Sequence, residues 1–389
     1  MSKLTLVAKT FAGLEDVLAA ELKEVGAKNI QVKRRAVLFE GDEEVMYRAN
    51  FQCRTALAIL QEIGKFYAKN AEDLYAKAKK VNWTDYLLLD QTFSIHATTY
   101  SEEFSHSKFV ALKVKDAIAD LYRDVYGKRP DVSVDSPDVK IEVHISDNSV
   151  TLLLNSSGDA LFKRGYRERT GLAPMNECLA AGIIKLAKFD PNEPLVDFTC
   201  GSGTILFEAA LIAKNVAPGL LNRRYGFQKW VGYNAELFKK IKEEANAAVT
   251  STPVNLKGYD IDQKMILFCR HNKESSEYFD SIRFYQSDLR DVETEKESGV
   301  IISNLPFGER LTVRDIERLY EDIGSSMKHH FPGFRAYLFS SNLDAMKRIG
   351  LKPALKIPLF SGGIQASLRR YELYSGSKKV KNQEANKDQ

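Results

Sequence analysis

The chain has 389 residues, 44% of them hydrophobic, enough to bury the cores of two or three domains, and a net charge of only +4. Affinity for nucleic acid must therefore come from where its cations sit, not from their number. Its four cysteines, Cys53, Cys178, Cys200 and Cys269, lie far apart and form no CxxC pair, which disfavours a zinc site or a disulfide scaffold and predicts a reducing, cytoplasmic setting. No apolar run reaches membrane-spanning length, and MSKLTLVAKTFAGLEDVL lacks the basic-then-apolar layout of a signal peptide, so the expectation is a soluble protein with neither membrane nor metal.

From the N-terminus, periodicity predicts a strand over 4–9, an amphipathic helix over 13–25, a strand over 36–41, a helix near 43–51 and a strand over 56–68. The basic run Lys33, Arg34 and Arg35 reads as a solvated turn. A second α+β pattern follows: helix 71–81, strand 93–98, a long helix over 108–126, and strands 139–146 and 149–157 joined at Asp147 and Asn148. The expectation is two small α+β modules in series. Neither carries a catalytic constellation.

The stretch LFKRGYRERTGLAP, residues 161–174, breaks the pattern. Gly165, Gly171 and Pro174 interrupt any regular element, and Lys163, Arg164, Arg167 and Arg169 surround Tyr166. Guanidinium groups beside an aromatic ring suit phosphate contact and base stacking, so these five side chains are RNA-binding candidates, weighed against a plain linker.

After an apolar helix over 175–189 comes LVDFTCGSGTILFEAA, residues 195–210. Leu195 and Val196 read as the end of a buried strand, Asp197 stands at its carboxyl end, Gly201 and Gly203 form a tight turn, and a helix opens at Thr204. Such a loop lets the backbone approach a nucleoside-bearing ligand. Leu206 stands where a dinucleotide fingerprint wants a third glycine, which argues against NAD or FAD, and no GK[ST] follows. After an insertion over 215–250, the next strand ends at Asp260, where a ribose would receive hydrogen bonds. A helix over 262–275 and a strand over 282–286 lead to Asp288, placed to accept from an exocyclic amine. The strand in GVIISNLPFGER, residues 299–310, leaves the sheet as Asn304, Leu305, Pro306 and Phe307. An Asn oxygen and a backbone carbonyl can accept both N–H groups of an –NH2, an aromatic ring can stack on its base, and Pro306 removes a competing N–H. That turn suits methylation of an exocyclic nitrogen. A helix over 315–331, a strand over 335–341, a helix over 343–350 and antiparallel strands over 355–360 and 367–375 complete the sheet.

DFTCGSGTILFEAA, GYDID and SNLPFGER, following SGDALFKRGYRERTGLAPMNECLAAGII in that order, closely resemble the THUMP-domain class I RNA methyltransferases. The nearest branch is that of the bacterial large-subunit 23S rRNA guanine-N2 methyltransferases. The resemblance covers residues from about 60 to 375. It implies an α/β fold: a Rossmann-like methyltransferase domain, with a seven-stranded sheet whose last strand is reversed, preceded by α+β ferredoxin-like and THUMP modules. The implied domains are ferredoxin-like 1–65, THUMP 66–160, basic hinge 161–175, catalytic 176–376 and a disordered tail 377–389. S-adenosyl-L-methionine is the implied cofactor, held by Pro174, Asp197, Thr199, Cys200, Gly201, Ser202, Gly203, Thr204, Asp260, Ile261, Asp288 and Leu289. Structured RNA is the implied partner, rRNA ahead of tRNA, and residues 304–307 would hold the target base. The family usually has Pro at Leu305, commonly Tyr at Phe307 and often Lys at Asn176.

The function expected is transfer of a methyl group to guanosine N2, most readily in 23S rRNA. Guanosine N2 of tRNA and adenine N6 are the rivals of the same kind. A non-catalytic RNA-binding factor is a rival of another kind and predicts a damaged cofactor loop, whereas the loop, its carboxylates and Asn304 are all present. An NAD-linked dehydrogenase is disfavoured by Leu206.

Overall fold

A computed structural model describes residues 3–171, 174–221, 223–294, 297–307, 312–361 and 363–374. The chain folds as two units, one of Met1–Thr10, Leu18–Lys163 and Asn222–Glu244, the other of Phe11–Val17, Arg164–Leu221 and Ala245–Gln389. The tail expected over 377–389 lies outside the described residues.

The first unit contains β1 (Leu4–Lys9), α1 (Glu15–Glu24, which begins in the other unit), β2 (Lys28–Lys33), β3 (Ala36–Gly41), α2 (Glu43–Gln52), β4 (Ala58–Tyr67), α3 (Ala71–Lys79), β5 (Thr92–Tyr100), α4 (Ser107–Tyr126), β6 (Asp131–Val132), β7 (Val139–Ser146) and β8 (Ser149–Asn155). Its strands form one eight-stranded sheet in the order β2-β3-β1-β4-β8-β7-β5-β6. The two α+β patterns thus share one sheet. The ten-residue β4 serves both, pairing antiparallel with β1 on one edge and with β8 on the other. The basic run at 33–35 closes an unexpected hairpin, with Lys33 opposite Ala36. Helix α4 buries Val110, Val114, Ala117, Ile118 and Tyr122, one stripe at helical spacing, and ends at Gly127 in the left-handed conformation (φ +67°). The stripe packs into the core holding Trp83 and Phe93.

The second unit continues with α5 (Glu177–Leu186), β9 (Leu195–Asp197) and α6 (Thr204–Ala213); the chain then passes through α7 (Ala235–Ala247) before β10 (Leu256–Asp260), α8 (Gln263–Lys273), β11 (Ile282–Gln286), β12 (Val300–Asn304), α9 (Val313–His330), β13 (Arg335–Ser340), β14 (Leu355–Ser361) and β15 (Ile364–Glu372). The sheet order is β11-β10-β9-β12-β13-β15-β14, with β15 antiparallel to both neighbours. The helix expected over 343–350 is a single 3-10 turn, Ala345–Lys347, and the last strand starts earlier than expected, at Ile364. Asn176 has a local reason to be Asn: its side-chain oxygen caps α5 by accepting from the N–H groups of Cys178 and Leu179.

Between α6 and β10 the chain leaves this sheet, and residues 222–244 belong to the first unit. Tyr47 stacks on Phe227 with centroids 4.2 Å apart, Tyr225 stacks on Phe227 at 5.2 Å, and Phe238 meets Phe51 and Phe227 edge-on. Gly226 is held where a Cβ would lie 2.7 Å from the Asn155 carbonyl oxygen. Arg223 donates to the carbonyls of Ala160 and Lys163 at 2.9 and 3.0 Å. A guanidinium with several carbonyl partners and a shared aromatic core tie this segment to the unit that precedes it in sequence.

Candidate functional site

Strands β10, β9 and β12 are adjacent and parallel, so their carboxyl ends open on the edge where α/β sheets receive ligands. A cavity of about 1000 Å³ lies there. Its wall includes Phe198, Thr199, Gly201 and Ser202 after β9, Asp260, Ile261 and Asp262 after β10, Ser287, Asp288, Leu289 and Arg290 after β11, and all four of Asn304, Leu305, Pro306 and Phe307 after β12.

The glycine loop is shaped by its backbone. Gly201 and Gly203 adopt φ +53° and +85°, and a Cβ on Gly203 would lie 2.9 Å from Phe207 and 3.1 Å from Phe284, so only glycine fits. Cys200 N–H donates to the Tyr259 carbonyl at 2.9 Å, and Gly201 N–H to Asp260 Oδ2 at 2.9 Å. The other Asp260 oxygen accepts from Asp262 N–H at 2.9 Å. Burial pushes the Asp260 carboxyl above its ordinary range, and these two N–H groups oppose the shift.

Not every predicted cofactor residue lines the cavity. Asp197 is 1% exposed and is not among the residues that line the cavity; it accepts from Ser303 Oγ at 2.8 Å and Thr199 N–H at 3.2 Å. Ser303 Oγ in turn accepts from Phe198 N–H at 3.1 Å, which ties the loop to β12. Burial pushes the Asp197 carboxyl up to about 7. Cys200, Gly203 and Thr204 are likewise not among the lining residues. Asp288 lines the cavity and is paired with Arg290: Oδ1 accepts from Arg290 N–H and Nε at 2.9 Å and Oδ2 from Nη2 at 2.5 Å. That pairing holds its carboxyl below the usual range. Pro174 lines the cavity, with Thr170 and Gly171.

Three of the five side chains of 163–169 read as RNA-contacting are engaged by partners within the protein. Arg164 is 2% exposed and pairs with the fully buried Glu208, Nε to Oε1 at 3.4 Å. The buried Tyr166 hydroxyl donates to the same Oε1 at 3.0 Å. Arg167 pairs with Glu177 at 2.7 Å and donates to the Met175 carbonyl at 2.8 Å. Their carboxylate partners, on α5 and α6, bury Arg164 and Tyr166 and leave Arg167 partly buried. Lys163 and Arg169 remain exposed. Asn272 of α8 clamps this segment, its Oδ1 accepting from the N–H groups of Glu168 and Arg169 at 3.1 and 2.9 Å while its Nδ2 donates to the Arg169 carbonyl at 2.7 Å.

The turn after β12 is tied down on its backbone. The Asn304 carbonyl accepts from Thr199 Oγ1 at 3.2 Å, Leu305 N–H donates to the Phe339 carbonyl at 2.9 Å, and the Pro306 carbonyl accepts from the Tyr320 hydroxyl at 3.0 Å. Among the described residues, Asn304 Oδ1 is buried and has no hydrogen-bond partner. A buried amide oxygen left unpaired is costly unless a ligand satisfies it. Sequence reasoning missed the helical walls: Lys264, Met265 and Phe268 of α8, and Asp315, Arg318, Leu319 and Asp322 of α9. Their recurrence every three or four residues was the available signal. No group of His, Cys, Asp and Glu among the described residues is placed to hold a metal, and no described helix is long and apolar enough to cross a membrane.

A seven-stranded sheet in this order with β15 alone reversed, carrying a glycine loop and carboxylates at successive strand ends, defines a class I methyltransferase. The family model for RMKL-like methyltransferase domains matches residues 164–370, that for THUMP domains 68–155, and that for RlmL ferredoxin-like domains 5–60. The chain belongs to the RMKL-like methyltransferase family. It is 36% identical to a Synechocystis protein named as an RNA methyltransferase, over 93% of this chain and 95% of that one. It is 35% identical to the ribosomal RNA large subunit methyltransferase K/L of Shewanella frigidimarina, over 94% of this chain but 52% of that one, so it spans about half the length of its K/L relatives. The crystal structure of SMU.472, named as a methyltransferase and complexed with SAH, superposes with a TM-score of 0.88 at 29% identity, covering 97% of this chain and all of that one. A Listeria monocytogenes structure, named as an N6-adenine-specific DNA methylase, superposes at 0.86 with 32% identity over 96% and 97%. S-adenosylmethionine is the methyl donor these findings imply, and the residues fit it: Gly201 lines the cavity with nothing within 4 Å of where a Cβ would stand, and Asp260 and Asp288 line it at the ends of the next two strands.

Proposed function

We propose that this protein methylates the exocyclic N2 of a guanosine in the large-subunit rRNA, in the cytoplasm. The observation that carries the reading is Asn304 Oδ1, at the wall of the cavity, a buried acceptor without a partner among the described residues. S-adenosylmethionine supplies an electrophilic methyl group when bound. Thr199, Gly201 and Ser202 hold its methionine end, Asp260 its ribose hydroxyls, and Asp288, steadied by Arg290, its adenine amine. Asn304 Oδ1 and the Leu305 carbonyl accept the two N–H groups of the target amine, localising a lone pair that ring conjugation otherwise delocalises. Phe307 holds the plane of a base swung out of its stack, and orientation contributes much of the rate. The amine's proton becomes acidic once the new bond forms, so the site needs no dedicated base. Residues 66–160 help select structured RNA, with Lys163 and Arg169 as the exposed cations of the former hinge candidates. The names of the K/L relatives support rRNA as the substrate.

A second reading, methylation of adenine N6, is favoured by the turn itself, which reads an amine and not a ring, and by the name of the Listeria structure. The test is incubation with isotope-labelled S-adenosylmethionine and separate pools of unmodified rRNA and tRNA, followed by mass spectrometry of the nucleosides. Labelled N2-methylguanosine confined to large-subunit rRNA is the expected outcome. The same product in tRNA changes the substrate, N6-methyladenosine selects the second reading, and no label in either pool overturns both.

A further inference from the structure

The turn that carries Asn304 rests on a buried hydroxyl pair outside the cavity wall. Tyr320, on α9, and Ser340, at the end of β13, are both 0% exposed. Their oxygens lie 2.6 Å apart; the Tyr320 hydroxyl also reaches the Pro306 carbonyl at 3.0 Å, and Ser340 Oγ accepts from Asn342 N–H at 3.0 Å. These partners fix the direction of every bond. A carbonyl only accepts, so Tyr320 must donate to Pro306; having spent its one hydrogen there, it must accept from Ser340. The result is a one-way relay from Asn342 N–H through Ser340 and Tyr320 to the Pro306 carbonyl, in which each hydroxyl polarises the next. Burial pushes the Tyr320 hydroxyl up to about 12, so it keeps its proton at neutral pH.

We infer that Tyr320 is a positioning residue of the methyl-transfer reaction, holding the Pro306 peptide through the Ser340–Tyr320 relay and thereby aiming the neighbouring Leu305 carbonyl at the target amine. The inference rests on the proposed function of the 304–307 turn. Pro306 has no N–H with which to anchor itself, and Leu305 N–H and the Asn304 carbonyl fix only the entry to the turn. Tyr320 fixes its exit. Deleting the hydroxyl while keeping the ring preserves the packing and frees that one peptide.

The experiment compares Tyr320→Phe, Ser340→Ala, the double variant and Asn304→Ala in the full chain, measuring kcat, KM for RNA, affinity for S-adenosylmethionine and the denaturant midpoint. Tyr320→Phe is expected to lower kcat about tenfold, the scale of one lost hydrogen bond, with cofactor affinity and KM within about twofold of wild type. Ser340→Ala is expected to lower kcat less, and the double variant to match Tyr320→Phe, because both act through one bond. Wild-type kcat in a folded Tyr320→Phe overturns the inference, as does a loss of kcat matched by loss of cofactor affinity, which marks a merely structural role. If Tyr320→Phe does not fold, an unchanged kcat in Ser340→Ala overturns it. Asn304→Ala separates the two levels: if it retains turnover, the reading of the turn fails; if it is inactive while Tyr320→Phe is not, only the role of Tyr320 fails.

Discussion

Residues 164–167 and 304–307 are two stretches of the second unit that carry buried polar atoms, and they are built in opposite ways. In the first, charge meets charge: Arg164 lies against Glu208 and Arg167 against Glu177, and the segment is fastened to α5 and α6. In the second, the Asn304 carbonyl, the Leu305 N–H and the Pro306 carbonyl have partners, while the Asn304 side-chain oxygen, a neutral acceptor, has none among the described residues. Polar character in a buried loop is therefore ambiguous until the partners are known. Charges paired inward make a joint, whereas a backbone tied down at both ends of a turn that presents open acceptors makes a receptor.

The contrast can be broken by substitution. The largest effect is expected on turnover: Asn304→Ala should lower kcat by about a thousandfold, the scale of removing a group that orients the reacting atom, with the unfolding midpoint little changed. Next, Arg164→Ala should destabilise the protein by about 3–5 kcal/mol, because it strands the buried Glu208 carboxylate; urea unfolding measures it. An unchanged midpoint with weakened RNA binding would return this side chain to the RNA interface. A smaller effect concerns Asp197. Its carboxyl is raised to about 7 by burial, so between its unfolded value and that pH the folded state binds the extra proton. Its contribution to stability is complete below about pH 4 and is lost as pH rises through 7. Thermal midpoints should fall between pH 5 and 8 in the wild type and fall less in Asp197→Asn. The smallest effect belongs to the exposed Arg169: Arg169→Ala should leave the midpoint within about 0.5 kcal/mol and reduce the salt slope of RNA binding by about 1.

The ligand-binding edge was largely legible because it is written locally. A strand, two glycines and a helix start are contiguous, and Asp260, Asp288 and Asn304 each end a strand that periodicity locates. What was not legible depends on partners remote in sequence. Nothing near Arg164 and Tyr166 announces that Glu208 will meet them. The spacing that put Asp197 at a strand end carried no information on whether its carboxylate faces the cavity or Ser303. Arg290 was adjacent and readable, since a guanidinium two residues beyond a carboxylate can fold back on it. The single sheet of the first unit was hidden because β4 reads as one strand whichever neighbours it takes, and KNIQVK, which forms β2, is too short and polar to stand out.

Residues 222–244 bear on how the molecule is made. The aromatic cluster of the first unit needs Tyr225, Phe227 and Phe238 as well as Tyr47 and Phe51, yet the first three are synthesised only after the cofactor loop at 198–203. At about 5–20 residues per second, the ribosome finishes β8 several seconds before it supplies the side chains that close this core. The earlier half must wait, with Tyr47 and Phe51 uncovered, while the strand and helix that frame the loop emerge. No single cut in the chain can therefore release a complete N-terminal half, and a fragment ending at 163 should expose those two rings and aggregate.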